Sequence, residues 1–311
     1  MPRGGPRRCS ADGKQQVSGR GPRVSNKAGV LYVVATPIGN LADISQRALE
    51  ILADVDLIAA EDTRHSRRLL GRYGIATRLV ALHEHNERGA VGGLVEKLEH
   101  GGRVALISDA GTPLISDPGF RLVREARRAG INVVPAPGPC AAICALSVAG
   151  LPTDRFVFEG FLPARSAARR ARLQVLASET RTLVFYEAGR RMAACLDDLC
   201  VAFGDERPAV LARELTKLHE TVLDADLTTL ARRVATDPEQ CLGESVLLVG
   251  GAPEPDSADA ESARQLIEVL LDEGLPVSRA AAIAARVTGQ SKRAVYALAQ
   301  ALHDTSEMPP G

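Results

Sequence analysis

The sequence has no tryptophan and only 3% aromatic residues, so its interior cannot be built around large rings. The 45% hydrophobic content must supply the core as Leu, Val, Ile and Ala instead. No apolar run approaches the roughly 18–20 residues that cross a bilayer, and no signal-peptide pattern is present, so a soluble cytoplasmic protein without a membrane partner is expected. Lys plus Arg (38) equals Asp plus Glu (38), so global charge does not mark the chain for a polyanion. Any nucleic-acid contact has to come from local basic patches. The six cysteines (Cys9, Cys140, Cys144, Cys195, Cys200 and Cys241) include no C-x-x-C pair. They mostly sit in apolar helical stretches, which reads as free buried thiols. With H-x-x-x-H absent as well, no metal is expected.

A Walker loop and a G-x-G-x-x-G turn are also missing. Glu61 lies 22 residues after Gly39 (61 minus 39), close to the spacing of a ribose-binding acid in a dinucleotide fold. The first loop is T-P-I-G-N, however, with Pro37 fixing its own φ and one glycine for close backbone approach. Nicotinamide chemistry and phosphoryl transfer are both disfavoured.

What is present divides into blocks. Residues 1–28 read as a disordered basic tail without apolar periodicity. Residues 29–150 alternate β-branched runs with helical segments, the pattern of an N-terminal α/β domain with a parallel sheet. Residues 151–251 form a second α/β domain, with four strand candidates and a mixed sheet. Residues 252–262 read as a linker, 263–303 as a small helical bundle and 304–311 as a tail.

In an open parallel sheet, loops leaving the carboxyl ends of the strands collect at one edge and bind ligands. That rule selects Thr36–Asn40, Glu61–Arg64, His83–Glu87, Ser108–Pro113 and Pro137–Cys140. In the loop SDAGTPLISDPG, Asp117 reads as part of a helix cap, whereas Asp109, beside flexible backbone, suits a ligand with an ammonium group and several acceptors. Asp43 reads as the cap of the helix that follows it.

Several long motifs now occur in order: LYVVATPIGNLADISQRALEILADVDLIAAEDTR, LISDAGTPLISDPG, VVPAPGPCAAICALSVAGLPTDRFVFEGFLP, LVFYE and LARELTKLHE. Over roughly residues 31 to 303 the chain resembles the tetrapyrrole-methylase-like superfamily, and within it the methyltransferases of small-subunit ribosomal RNA. The resemblance implies two α/β domains with S-adenosylmethionine between them, and a homodimer. It also implies the substrate, the 2′-hydroxyl of a cytidine in the decoding region of 16S rRNA within the small ribosomal subunit. The family's cofactor cleft falls on Pro37, Ile38 and Gly39, on Asp109, Ala110, Gly111, Thr112 and Pro113, and on Cys140, Ala141 and Ala142. The second domain adds Tyr186, Glu187, Arg213 and Glu214.

Methyl transfer to a neutral hydroxyl needs positioning and benefits from a base. Glu61, Asp62 and His83 are candidates for it, with Arg64 and Asn86 placing phosphate or ribose. Basic groups for RNA are sought at Arg64, Arg67 and Arg68, at Arg165, Arg169, Arg170 and Arg172, and at Lys292 and Arg293 with Tyr296. Two other classes stay open: a tetrapyrrole C-methyltransferase, and a non-catalytic RNA-binding protein of ribosome assembly.

Overall fold

The computed structural model describes residues 29–253 and 257–306. The basic tail expected over residues 1–28 and the last five residues lie outside them. Strands β1 (Val30–Val34), β2 (Leu57–Ala60), β3 (Leu79–Ala81), β4 (Arg103–Ile107) and β5 (Asn132–Ala136) form one sheet in the order β3-β2-β4-β1-β5. Every pairing in it is parallel. Such strands are covered on both faces, and β2 is accordingly buried along its whole length. Helices α1 (Gln46–Asp54) and α2 (Thr63–Arg72) cover one face through a core that includes Leu52, Ile58, Leu70 and Ile107. Helices α3 (Glu87–Glu99) and α4 (Phe120–Arg128) cover the other through Leu94, Leu98, Leu106 and Leu122. The cap of α1 is Ser45, whose hydroxyl accepts from Ala48 N at 3.1 Å, not the expected Asp43. Asp43 belongs to a short turn two residues earlier.

Helix α5 (Ala141–Val148) follows β5 in the chain but packs elsewhere. Its Ala142, Ala145 and Leu146 share a core with Val184, Val210 and Leu248 of the second sheet. The step from one domain to the other therefore begins at the loop before α5, which is carried to the interface.

The second sheet contains β6 (Phe156–Phe161), β7 (Thr182–Ala188), β8 (Pro208–Arg213), β9 (Thr221–Asp226) and β10 (Glu244–Val249), in the order β6-β7-β10-β8-β9. Only β6 with β7 is parallel, so the sheet is mixed. It has five strands where the sequence pattern offers four. The extra one, β9, is an edge strand carrying Asp224 and Asp226. Helices α6 (Ser166–Leu176), α7 (Met192–Phe203) and α8 (Leu227–Thr236) cover its far face, with Leu173, Leu199 and Leu230 against Phe185, Leu211 and Leu247.

One expected basic surface is not free. Arg169 is only 3% exposed and its guanidinium meets Asp198 at 2.7 Å. Arg170 binds the same carboxylate, and Arg172 forks onto Glu159. A charge as deep as Arg169 needs a partner, and the pairs made by Arg170 and Arg172 commit these half-exposed arginines to the fold as well, which leaves Arg165 as the exposed member of the run.

Helices α9 (Ser257–Asp272), α10 (Val277–Thr288) and α11 (Lys292–Ser306) make the C-terminal bundle around Ile267, Ala284, Val295 and Ala299. Helix α9 takes in the second half of the expected linker, whose Ala and Glu residues are good helix formers. Helix α11 runs three residues past the expected end of the bundle. Among the described residues no helix is long and apolar enough to cross a membrane.

Candidate active site

Strands β1 and β4 are neighbours, yet the chain leaves β1 toward β2 on one side and β4 toward β5 on the other. Their loops diverge and open a crevice at the carboxyl edge. Thr36 and Gly111 bridge it at the base, each N–H donating to the other's carbonyl at 2.9 and 3.1 Å. The second domain faces this crevice and closes a cleft of about 350 Å3.

Eleven of the sequence candidates line that cleft. They are Ile38, Glu61, Asp109, Ala110, Gly111, Thr112, Cys140 and Ala141 from the first-domain side, with Tyr186, Glu187 and Glu214 opposite. Others shape it without lining it. Pro37 and Pro113 are buried in their loops. Gly39 lies so close to the second domain that a Cβ there would meet Lys217 Cγ at 2.5 Å and Thr216 Oγ1 at 2.8 Å. The next residue, Asn40, donates its N–H to Thr216 Oγ1 at 3.0 Å. Ala142 N donates to the Tyr186 hydroxyl at 3.2 Å, so a side chain of the second sheet serves the open N-terminus of α5, whose own cap residue makes no side-chain bond. Arg213 is buried and reaches Thr221 Oγ1 at 3.3 Å.

The proposed bases separate. Glu61 lines the cleft, and burial pushes its carboxyl above the usual range against a hydrogen bond from Asp109 N. Asp62 instead caps α2, accepting from Arg64 N at 2.7 Å, and that bond holds its carboxyl low. Its own N–H donates to Asp109 Oδ1 at 3.0 Å. Arg64 is largely exposed and pairs with Asp62. Asn86 closes the turn after β3, its Oδ1 accepting from His83 N at 2.9 Å and its Nδ2 donating to Ala81 O at 3.0 Å. His83 Nδ1 is buried without a partner and outside the cleft lining.

Asp117, read from sequence as part of a cap, is not one. The N-cap position of α4 is Gly119, whose N–H donates to Glu87 Oε1 at 3.1 Å, as Arg121 N does at 2.9 Å. A carboxylate from α3 therefore caps α4, and Asp117 lines the cleft. Burial raises its carboxyl to about 6, aided by the charges of Glu61 and Asp109 and opposed by a hydrogen bond from Ser108. Sequence reasoning also passed over Phe161, Lys217 and Ser245. Phe161 is 58% exposed at the cleft and stands edge-on to Tyr186 at 5.6 Å. Ser245 is buried with its Oγ unpartnered. An exposed ring next to the G-F-L-P turn was the available signal for Phe161; Ser245 had none.

Six carboxylates line the cleft, and Lys217 is the one cation among the described residues that do so. Lys217 is held by Glu214 at 2.8 Å and Glu244 at 3.0 Å, and Glu187 pairs with Arg191 at 3.1 Å. Glu61, Asp109 and Asp117 are left without an ion pair, which favours a cationic ligand. The non-glycine residues with positive φ among those described are Leu114, Ser116, Glu214 and Thr216, at 73°, 71°, 52° and 65°. They fall on the two loops that face each other across the cleft. Strain of this kind persists where surrounding contacts fix the backbone for a purpose.

Residues 30–231 match the family model described as tetrapyrrole (corrin/porphyrin) methylases, and residues 256–303 match that of the RsmI C-terminal HTH domain. The ribosomal RNA small subunit methyltransferase I of Pseudomonas aeruginosa is 57% identical over 271 residues, covering 86% of this chain and 96% of its own. That of Escherichia coli O157:H7 is 53% identical, covering 87% and 94%. Among solved structures, a cobalt precorrin-4 methyltransferase superposes with a TM-score of 0.52 at 16% identity, covering 73% of this chain and 96% of its own. The methyltransferase CobJ gives 0.54 at 20% identity, covering 72% and 95%. At such identities these two speak for the fold alone.

Proposed function

The chain belongs to the tetrapyrrole methylase family, within the group of ribosomal RNA small subunit methyltransferases I, and from that premise we propose that it transfers a methyl group from S-adenosylmethionine to the 2′-hydroxyl of a cytidine in the decoding region of 16S rRNA. The observation that carries the cofactor assignment is the charge of the cleft, three unpaired carboxylates with its one lining cation already held. S-adenosylmethionine, when bound, supplies a methyl activated by a sulfonium. The residues present fit it. Asp109 and Glu61 offer charge to an ammonium or sulfonium, and Ala110, Gly111, Cys140 and Ala141 leave room for a nucleoside. Ser245 and Tyr186 offer polar atoms on the other side.

The chain's own contribution is positioning, exclusion of water and proton transfer. The Thr36–Gly111 bridge fixes the two loops at the base of the crevice, and Tyr186 ties α5 to the second sheet. Glu61 and Asp109 brace one another, since Asp109 N donates to Glu61 Oε2 at 3.4 Å. RNA is met outside the cleft by Arg64, Arg67 and Arg68 on α2 and by the exposed Lys292, Arg293 and Tyr296 of α11. The ring of Phe161 offers a stacking face for an unpaired base. The working unit is a homodimer in the cytoplasm.

Incubating the full chain with unmethylated small ribosomal subunits and methyl-labelled S-adenosylmethionine, then mapping ribose methylation, tests this. One decoding-region cytidine is expected to acquire the label. Cofactor binding without transfer to RNA, or transfer to a tetrapyrrole instead, sinks the reading. An absence of cofactor binding leaves an RNA-binding assembly protein.

A further inference from the structure

We propose that Asp117 is the catalytic base, the carboxylate that takes the proton from the acceptor hydroxyl; this rests on the ribose methylation proposed above. The sequence around it, S-D-P-G at a helix start, is the local pattern of an N-cap. In the structure that duty has passed to Glu87, whose Oε1 accepts from both Gly119 N and Arg121 N. A carboxylate 32 residues away in the chain caps the helix, which frees the local one to face the cleft.

The other two unpaired acids are engaged with main chain. Glu61 accepts from Asp109 N and Asp109 accepts from Asp62 N, so each helps fix the strand ends beside it. Asp117 accepts from no main-chain N–H among the described residues; the Ser108 hydroxyl beside it, which donates to Ala110 O at 3.3 Å, offsets only part of the rise that burial causes. Its placement is nonetheless firm. Ser116, directly before it, sits at φ 71° and reaches over β6 where the ladder bulges. A Cβ on Gly160 would meet Ser116 Oγ at 2.9 Å, so the loop is seated on a glycine of the second domain. A strained, tightly seated loop presenting a carboxylate without main-chain duties is the arrangement of a reacting group rather than a brace.

The groups facing Asp117 are Glu61 from the end of β2, Asp109 from the end of β4, and Tyr186 from β7. None of them is a cation, and Lys217 across the cleft is held by two glutamates. Together with burial, this places the Asp117 titration at about 6, where a base is ionised at neutral pH yet still basic. In the step, the hydroxyl proton passes to the Asp117 carboxylate and the oxygen's electron pair forms the new O–C bond. The electron pair of the broken C–S bond stays on sulfur, leaving a neutral thioether. Asp117 then releases its proton to solvent.

The test is Asp117→Asn, which keeps the size and shape of the side chain and removes its charge, at a position where no helix depends on it for a cap. Under single turnover with saturating subunits and cofactor, the rate is expected to fall on the order of a hundredfold or more. Calorimetric affinity for S-adenosylhomocysteine should stay within about threefold of wild type. The wild-type rate should rise with pH through about 6, and that rise should vanish in the variant. Stability supplies an independent readout. A carboxyl raised in the folded state contributes stability below its unfolded value of 3.8 and loses it as pH rises through about 6. The neutral variant should therefore melt higher at pH 7, by roughly 2–4 °C. Asp117→Glu, which keeps the carboxylate on a longer arm, should recover at least about tenfold in rate over the Asn variant. A variant rate within about threefold of wild type overturns the proposal. So does a loss confined to cofactor affinity with the saturating rate intact, or a lowered melting temperature. If the wild-type protein itself transfers no methyl to RNA, the broader reading fails, and this one with it.

Discussion

The two walls of the cleft are built in opposite ways. The first-domain wall presents three acids, Glu61, Asp109 and Asp117, with no cation against them. The second-domain wall carries as many acids, but each is paired, Glu214 and Glu244 with Lys217 and Glu187 with Arg191. What it leaves free is apolar and aromatic surface, Phe161, Tyr186, Ala212 and Val246. One wall thus holds charge in reserve for a ligand and a reaction, and the other supplies shape. Parallel strands whose loops diverge deliver unpaired polar residues to one edge, whereas the acids of the second wall meet cations on the connections just beyond the strands, Lys217 after β8 and Arg191 after β7, and are neutralised there.

If this division holds, the largest effect should come from removing charge on the first wall without disturbing its geometry. Asp109→Asn keeps an oxygen for Asp62 N and loses only the negative charge. A hydrogen bond to a charged group contributes about 1.5–3 kcal/mol, so affinity for S-adenosylmethionine should drop on the order of ten- to a hundredfold. Isothermal calorimetry on a variant with unchanged melting temperature measures it. Unaltered affinity would mean that the unpaired acids of this wall do not meet the cofactor.

On the second wall the comparison sharpens through shape. Phe161→Ala removes an exposed ring whose edge contact is Tyr186. Stacking of a base on an aromatic side chain is worth about 1–3 kcal/mol, so apparent affinity for the small subunit should weaken about tenfold while cofactor affinity stays unchanged. A fall in cofactor affinity with RNA affinity preserved would reverse the roles of the two walls.

How much of this was legible in the sequence follows from where the partners lie. The parallel sheet was readable because strands such as Leu57–Ala60 are apolar runs buried on both faces, and the rule about strand ends then pointed to Glu61, Asp109 and the loop before α5. Edge strand β9 was hidden because Asp224 and Asp226 blur its alternation. Asp117 was misread because S-D-P-G is a local cap signal, while the actual cap arrives from Glu87 on another helix. The arginines after Phe161 looked like a solvated patch for the same reason, since Asp198 lies 29 residues from Arg169. Local pattern specifies elements. It does not say which distant side chain has already satisfied a charge.

A smaller change tests the seam between the walls. Tyr186→Phe removes the hydroxyl that accepts from Ala142 N at the start of α5. Burial raises this phenol, so it stays neutral and only the hydrogen bond is lost. A cap is worth about 1 kcal/mol, which corresponds to a fall in melting temperature of roughly 2–4 °C for a protein of this size. Differential scanning calorimetry reads it directly. A fall well beyond that range would show that the two walls are joined by more than this contact.

The smallest effect is expected where the sequence pointed to a base and the structure shows a cap. Glu61 and Asp62 are adjacent acids at the end of β2, and pattern alone treats them alike. Their surroundings do not. Glu61 lines the cleft and is raised by burial, whereas the Asp62 carboxylate is bound by Arg64 N at 2.7 Å and held low by it. A carboxyl whose folded value is depressed contributes stability above its unfolded value of 3.8 and loses it as pH falls through the folded value. At neutral pH it is fully ionised and a poor proton acceptor. Asp62→Asn preserves an oxygen for Arg64 N and the main-chain N–H that reaches Asp109, so the single-turnover rate should remain within about threefold of wild type. Asp62→Ala loses the cap and should lower the melting temperature while leaving the saturating rate nearly as high. Rates for both variants, set beside Glu61→Gln, decide the matter. If Asp62→Asn slows methyl transfer by about a hundredfold at full occupancy, as a lost general base does, then Asp62 takes the proton and the first wall extends beyond the acids that line the cleft.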